Sequence, residues 1–452
     1  MTTKGTKYDE VNLRTVLIGE KEINKAQTKE NQNMRKTFLL IFVYLIIGKQ
    51  AESQIKWDES FTSHISLLNS TNPDNTDNSD FVLIDSLIAN KRIIALGEAT
   101  HGTKEFFTTK HRLIKYLVEN HGFRVFTIED DFTLSHNIND FVLGQIETKP
   151  EKLLSANWIG AWRTQEVLDL LLWLKSYNKN KADNDRVKIY GCDMHYRPAA
   201  NYILNNLKQG NQLNAESDKT LRFLIDYRRS VKMTKQQKND LKQLVSQLRI
   251  VGNDTADERL AFTIETLIQS IDLLNRGVVS GTIARDRYMA ENCKRIYESE
   301  NKKMIVWAHN QHVAEKSDVS KKKPMGSHLK GYWGDDYYTI GFGFYEGEYL
   351  AYNPEKRKIC PCKAGIPQSD CVDHLFAKAP FENFMLNLNN EKLPTELDRL
   401  INKTTNTRRA GSFYHKDVNA RTNYRKSILS KSYDMLVFIR NSRATTILPY
   451  TP

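Results

Sequence analysis

The sequence predicts an α/β protein with a mostly parallel central sheet flanked by helices, and with an inserted helical subdomain. Three observations lead there. Short apolar runs of strand length recur between segments of helical period. The runs end in Gly or in ionisable side chains rather than fading into loops. Between the third and fourth runs lie roughly a hundred residues of helical pattern, too many for a simple crossover.

In chain order, residues 54–80 are expected to hold one helix and then a polar linker, Asn69 to Asp80, rich in Asn, Asp, Ser and Thr. Phe81 to Ala89 reads as a short helix leading into the first strand, Ile93 to Leu96. Gly97 breaks that strand, and Glu98, Thr100 and His101 follow at once. Glu105 to Asn120 has an amphipathic pattern, with Phe106, Leu113, Ile114 and Leu117 roughly on one face, and stops near His121-Gly122. Arg124 to Ile128 is the second strand, ending at Glu129-Asp130-Asp131. Thr133 to Leu143 and Thr164 to Tyr177 read as helices joined by the aromatic segment Trp158 to Trp162. Val187 to Tyr190 is the third strand, ending at Gly191-Cys192-Asp193-Met194-His195.

The helical insertion then runs from about 198 to 300, with separate helices at Leu221 to Arg229, Lys235 to Ile250, Asp257 to Leu274 and Ile283 to Tyr297. Met304 to Ala308 is the fourth strand, ending at His309-Asn310-Gln311-His312. Ser317 to Leu329 reads as a basic loop, and Tyr337 to Tyr345 and Met435 to Ile439 as further strands. If the helix-separated strands are parallel, Glu98, His101, Glu129, Asp193, His195, His309 and His312 converge on one sheet edge. Several carboxylates and imidazoles gathered there would be costly to desolvate for packing alone, so the edge is expected to be a catalytic pocket.

Composition narrows the partners. The chain has 452 residues, 40% of them hydrophobic, a formal net charge of +12 and a pI near 9.2. The Lys and Arg residues are dispersed, with short runs such as Lys321 to Lys323, and no zinc-finger or RNA-binding pattern occurs. A small-molecule substrate is therefore expected, and no nucleic-acid partner.

Residues 1–33 are polar and patternless, so they read as a disordered extension or a mis-assigned start, with Met34 as the true one. Residues 34–53 read as a signal peptide: a basic Met34-Arg35-Lys36, the apolar stretch Phe38 to Ile47, and small Ala51 and Ser53. Cleavage before Gln54 would give a periplasmic or secreted enzyme of residues 54–452. The alternative is membrane anchoring by residues 38–47, and no other membrane partner is expected. Of the five cysteines, Cys371 is close enough in sequence to pair with Cys360 or Cys362, and free thiols are the other reading. Their spacing is not that of a zinc ribbon.

Several familiar chemistries are absent. There is no G-x-S-x-G elbow and no H-E-x-x-H, and Gly97 to Lys104 lacks the ending of a phosphate loop. What remains is imidazoles beside carboxylates without an obvious side-chain nucleophile, which suits general-base activation of water. His and Glu are also zinc ligands, and the residue types alone leave that open.

The motifs resemble the erythromycin esterase family, which includes proteins labelled as succinoglycan biosynthesis proteins. The matching stretches are L-G-E-A-T-H-G-T-K-E-F at Leu96, I-E-D-D at Ile128, G-C-D-M-H at Gly191, A-R-D-R-Y-M-A-E-N at Ala284, W-A-H-N-Q-H-V-A at Trp307 and M-G-S-H-L-K at Met325. They occur in order over about residues 80–440. The resemblance implies an esterase that opens a macrolide lactone by water attack, without a metal or other cofactor. It implies His101 as general base, Glu98 and Glu129 as orienting groups, His309 completing the centre, and Arg285 stabilising negative charge. His312, Lys110, Asp193 and His195 are expected at the substrate. Lys110 stands where some members carry Arg, which keeps the charge and loses the fork. The competing expectations are an exported esterase for a non-macrolide ester such as a polysaccharide substituent, and a metal-dependent or binding protein using the same cleft.

Overall fold

The computed structural model describes residues 64–157, 161–207, 213–316, 322–389, 393–411, 413–417 and 419–449. The expected signal segment and Trp158 lie outside these residues. No helix among the described residues is long and apolar enough to cross a membrane.

The four apolar runs form β2 (Ile93–Leu96), β3 (Val125–Asp131), β4 (Lys188–Asp193) and β5 (Met304–Trp307). With β6 (Tyr337–Asn353) and β11 (Met435–Ser442) they make six consecutive parallel strands in the order β11-β6-β2-β5-β3-β4. Antiparallel strands complete a nine-stranded sheet: β8 (Asn383–Asn387) and β1 (Ile65–Leu67) beyond β11, and β7 (Lys358–Lys363) against the far half of β6.

A strand of four residues needs both faces buried to hold its place. In β2, Ile94 and Leu96 pack with Phe106, Phe107, Leu113, Ile114 and Leu117 of the helix Lys104–His121. Ile93 and Ala95 point the other way, onto Met289, Cys293 and Ile296 of the long helix Val278–Glu300. Burial of side chains this size contributes about 1.5–3 kcal/mol each. That is why the central strands read as continuous apolar runs without alternation.

Among the described residues, five helices lie between β4 and β5. The first four, Tyr196–Leu207, Ala215–Asp226, Lys235–Asp254 and Glu258–Leu274, close around their own core, with Ile203, Leu221, Leu244 and Ile264 at its centre. The fifth, Val278–Glu300, belongs to the sheet instead. It is the crossover helix leading into β5, and it carries Arg285 in its first half.

Three expectations need correction. Ile65–Leu67, at the end of the stretch expected to be helical, is an edge strand because it pairs with β8; residues 54–63 lie outside the described residues. The basic loop before β6 contains a helix, Met325–Trp333, whose Met325 and Leu329 fill the second face of the sheet. The strand at Tyr337 runs on to Asn353. Of the two cysteine readings, free thiols is the one the structure shows: Cys371 is buried with Sγ 3.2 Å from Asp373 Oδ2, and Cys360 and Cys362 sit on β7.

Candidate active site

The loop after β2 carries the reactive side chains and is clamped from both sides. A Cβ on Gly97 would lie 2.2 Å from Asn310 Oδ1, and one on Gly102 the same distance from Leu350 O. Only glycine lets the loop pass so close to the β5 and β6 segments. Backbone bonds lock it there: Asn310 N donates to Glu98 O (2.8 Å), and Leu350 N and Thr445 N to Gly102 O (2.8 and 3.0 Å).

Glu98 is fully buried and accepts three hydrogen bonds. His101 Nδ1 lies 2.7 Å from Oε1, while Lys110 Nζ (2.5 Å) and Trp307 Nε1 (2.7 Å) donate to Oε2. The carboxylate therefore sets the His101 tautomer, with the proton on Nδ1 and the Nε2 lone pair left to the cleft. Lys110 is fully buried beneath it, 4.3 Å from the Trp307 ring centre. Burial pushes its ammonium down to about 8, against the pull of Glu98.

A second cluster faces this one. Arg285 binds Asp193 through Nε (3.0 Å to both oxygens) and Nη2 (2.6 Å), and Nη2 also reaches Glu129 Oε1 at 3.0 Å. His312 sits between two carboxylates, Nδ1 2.5 Å from Asp286 Oδ1 and Nε2 3.1 Å from Glu129 Oε1. Burial alone would lower this imidazole, but Glu129 and Asp286 outweigh it and raise it to about 10. His312 is thus an imidazolium at neutral pH and cannot accept a proton from water. Glu129, despite burial that would raise it, is held well below the carboxylate range by His312, Arg285 and His101.

His309 lies between the clusters, its ring centre 5.1 Å from that of His101. Its backbone N–H donates to Glu129 Oε2 at 2.8 Å. Its Nδ1 accepts from Gln311 N (3.2 Å), capping the short helix Asn310–Val313, and Nε2 faces Ala99 O at 3.3 Å. Both ring nitrogens are therefore occupied by backbone. Burial, and the opposition of the neighbouring His101 imidazole to a second proton, keep the ring well below its ordinary value. His309 is a neutral structural neighbour of His101 rather than a second base.

His101, Glu129, Arg285, His309 and His312 line one cleft of about 330 Å3 together with Trp162, Gln311 and Arg409. It adjoins an apolar groove of about 450 Å3 formed by Leu350, Ala351, Tyr352, Ile359 and Phe413, which His101 and Ala161 also border. Lys110, Asp193 and His195, expected at the substrate, do not line the cleft. Lys110 and Asp193 are buried under Glu98 and Arg285, where they compensate charge. His195 lies to the side near Asp131 (3.6 Å). Tyr196 packs with the helical insertion, its hydroxyl donating to Tyr227 O.

Reading the sequence missed Asp286, Gln311 and Arg409. Asp286 and Gln311 sit inside the quoted motifs, each beside a residue that was singled out. Arg409 follows the short strand β9 (Thr405–Arg408), whose polar residues carry no apolar period. The one signal there is an Arg doublet before Ala-Gly. Among the described residues no group of three or more His, Cys, Asp or Glu side chains is arranged to hold a metal ion.

The model of the family described as erythromycin esterase matches residues 118–442. The putative hydrolase YbfO of Bacillus subtilis (strain 168) is 25% identical over 370 residues, covering 70% of this chain and 80% of that protein. Erythromycin esterase type II of Escherichia coli is 26% identical over 322 residues, covering 61% and 74%. Among solved structures, a succinoglycan biosynthesis protein superposes with a TM-score of 0.75 at 22% identity, covering 88% of this chain and 99% of the other. A mutant of the erythromycin esterase EreC in its open conformation gives a TM-score of 0.63 at 17% identity, covering 84% and 98%.

Proposed function

Since this chain belongs to the erythromycin esterase family and is an ester hydrolase of that family, we propose that it opens macrolide lactones by water attack, with His101 as the general base. The observation that carries this reading is the state of His101. Glu98 occupies Nδ1, and among the described residues Nε2 has no hydrogen-bond partner and is the nitrogen left to the cleft. His312 is already protonated and His309 has both nitrogens engaged, so His101 is the imidazole of the three that can take a proton.

In the reaction, Nε2 removes a proton from water as its oxygen bonds to the ester carbonyl carbon. The carbonyl π electrons move onto oxygen. When the intermediate collapses, the acyl C–O bond breaks and the proton on Nε2 passes to the leaving alkoxide. Glu98 stabilises the imidazolium formed between these steps, and Lys110 holds the far oxygen of Glu98 in place. The apolar groove beside His101 supports a substrate with a bulky hydrocarbon body, as a macrolide has.

Incubation with macrolides of several ring sizes, followed by mass spectrometry, tests the reading. The expected product has gained one water, at a rate unaffected by EDTA and abolished in His101→Asn. Macrolides left intact while p-nitrophenyl esters are cleaved would favour the non-macrolide ester. Activity lost with chelator would favour the metal-dependent reading.

A further inference from the structure

Hydrolysis places a negative charge on the carbonyl oxygen, and the cations of the cleft are unequally free to meet it. Arg285, the residue implied for this task by the resemblance, gives Nε and Nη2 to Asp193 and Nη2 also to Glu129. His312 is shared between Asp286 and Glu129. Lys110 is buried on Glu98. Each positive charge is thus already matched by a carboxylate at contact distance, and little of its field is left for a new anion.

Arg409 differs. It lines the same cleft, and it makes no ion pair among the described residues. Its side-chain partner is the neutral amide of Gln311. With that amide turned so that its oxygen faces the guanidinium, the oxygen accepts from Nη1 and Nη2 at 3.1 Å each, and also from Nε. Arg425, a second cation, is close enough to oppose its charge. The backbone places Arg409 against the catalytic loop: Ala410 N donates to Ala99 O at 3.0 Å, the carbonyl that His309 Nε2 also faces. The neighbouring Arg408 is turned inward onto Ala364 O and Gly365 O, so the two arginines of the doublet have separate tasks. Arg409 and Gly411 border the polar cleft and Phe413 the apolar groove. A bulky ester lying along both would cover Arg409 and exclude water from it, which strengthens its hold on an anion.

We propose that Arg409 is a catalytic residue that binds the oxyanion of the tetrahedral intermediate, a role that rests on the ester-hydrolase reading. The π pair of the attacked carbonyl becomes the oxyanion facing Arg409, and the water proton goes to His101 Nε2. When the acyl C–O bond breaks, the pair returns to the carbonyl and the proton leaves with the alkoxide.

The test uses p-nitrophenyl butyrate and erythromycin with the wild type, Arg409→Gln and Arg409→Lys. Loss of one oxyanion contact should lower kcat roughly 10²- to 10³-fold in Arg409→Gln, with KM changed less than about threefold and Arg409→Lys intermediate. A rise in KM with kcat intact overturns the assignment, as does full activity in Arg409→Gln. Methylphosphonate, a tetrahedral anion, gives a readout that needs no turnover. It should raise the Tm of the wild type and not that of Arg409→Gln. No shift in the wild type, or equal shifts in both, overturns the role of Arg409. A wild type that cleaves no ester instead overturns the hydrolase reading, and methylphosphonate still decides about Arg409.

Discussion

Replacing Glu98 by Gln removes one charge and little volume, and the structure dictates two separate consequences. The first concerns the tautomer of His101. Lys110 and Trp307 both donate to Oε2, whereas His101 meets Oε1. A Gln at 98 satisfies the two buried donors only by putting its amide oxygen at the Oε2 position. Its NH2 group then faces His101 Nδ1, which must become the acceptor, and the proton moves to Nε2. The base is lost although the ring stays in place. Wrong-tautomer replacements of this kind in the Ser-His-Asp enzymes cost about 10⁴ in kcat, and a similar loss is expected here.

The second consequence is for stability. The Lys110 ammonium loses its counter-charge in a site with no solvent access. Lys110 lies at about 8 in the folded protein, so neutralising it at pH 7 costs about 1.4 kcal/mol, which caps this part of the loss. Urea denaturation followed by circular dichroism should therefore show a loss of about 1 kcal/mol at neutral pH, vanishing as pH rises through about 8. Adding Lys110→Met should restore most of the stability and none of the rate. The reasoning is refuted if Glu98→Gln keeps more than a tenth of wild-type kcat, or if removing the lysine charge restores no stability.

Two further outcomes follow from the geometry. The folded protein raises His312 from its ordinary value to about 10, so its contribution is complete below about pH 6.5 and is lost as pH climbs through about 10. His312→Gln should cost on the order of 4 kcal/mol near pH 7 and progressively less toward pH 10; a difference constant with pH would contradict the ion-pair account. Phe413 is 59% exposed on the apolar groove, so Phe413→Ala should change stability by less than about 0.5 kcal/mol. It should raise KM for a bulky macrolide roughly 10- to 50-fold while changing that for p-nitrophenyl acetate less than about threefold; equal effects on both would remove the groove from the substrate path.

The sequence by itself determined the parallel core of the sheet and the position of the reactive loop. Strand length, apolar continuity and endings in Gly or ionisable side chains are local properties, and β2 to β5 each satisfy them within a few residues. Less of the sheet's margin was legible. Pro361 on β7 is tolerated because that strand pairs on one side only, and β9 and β10 (Tyr424–Ser427) are polar strands held by backbone pairing. Only the tertiary structure decided what each ionisable group does. Lys110 looks like a helix-surface charge until Glu98 and Trp307 enclose it. His309 and His312 are three residues apart, yet one is neutral and bound to backbone while the other is an imidazolium between Asp286 and Glu129. Charge state depends on burial and on neighbours far along the chain, such as Arg285 and Asp193, 92 residues apart. A linear pattern carries no record of such distances, so it could mark the groups that converge and leave their roles to the fold.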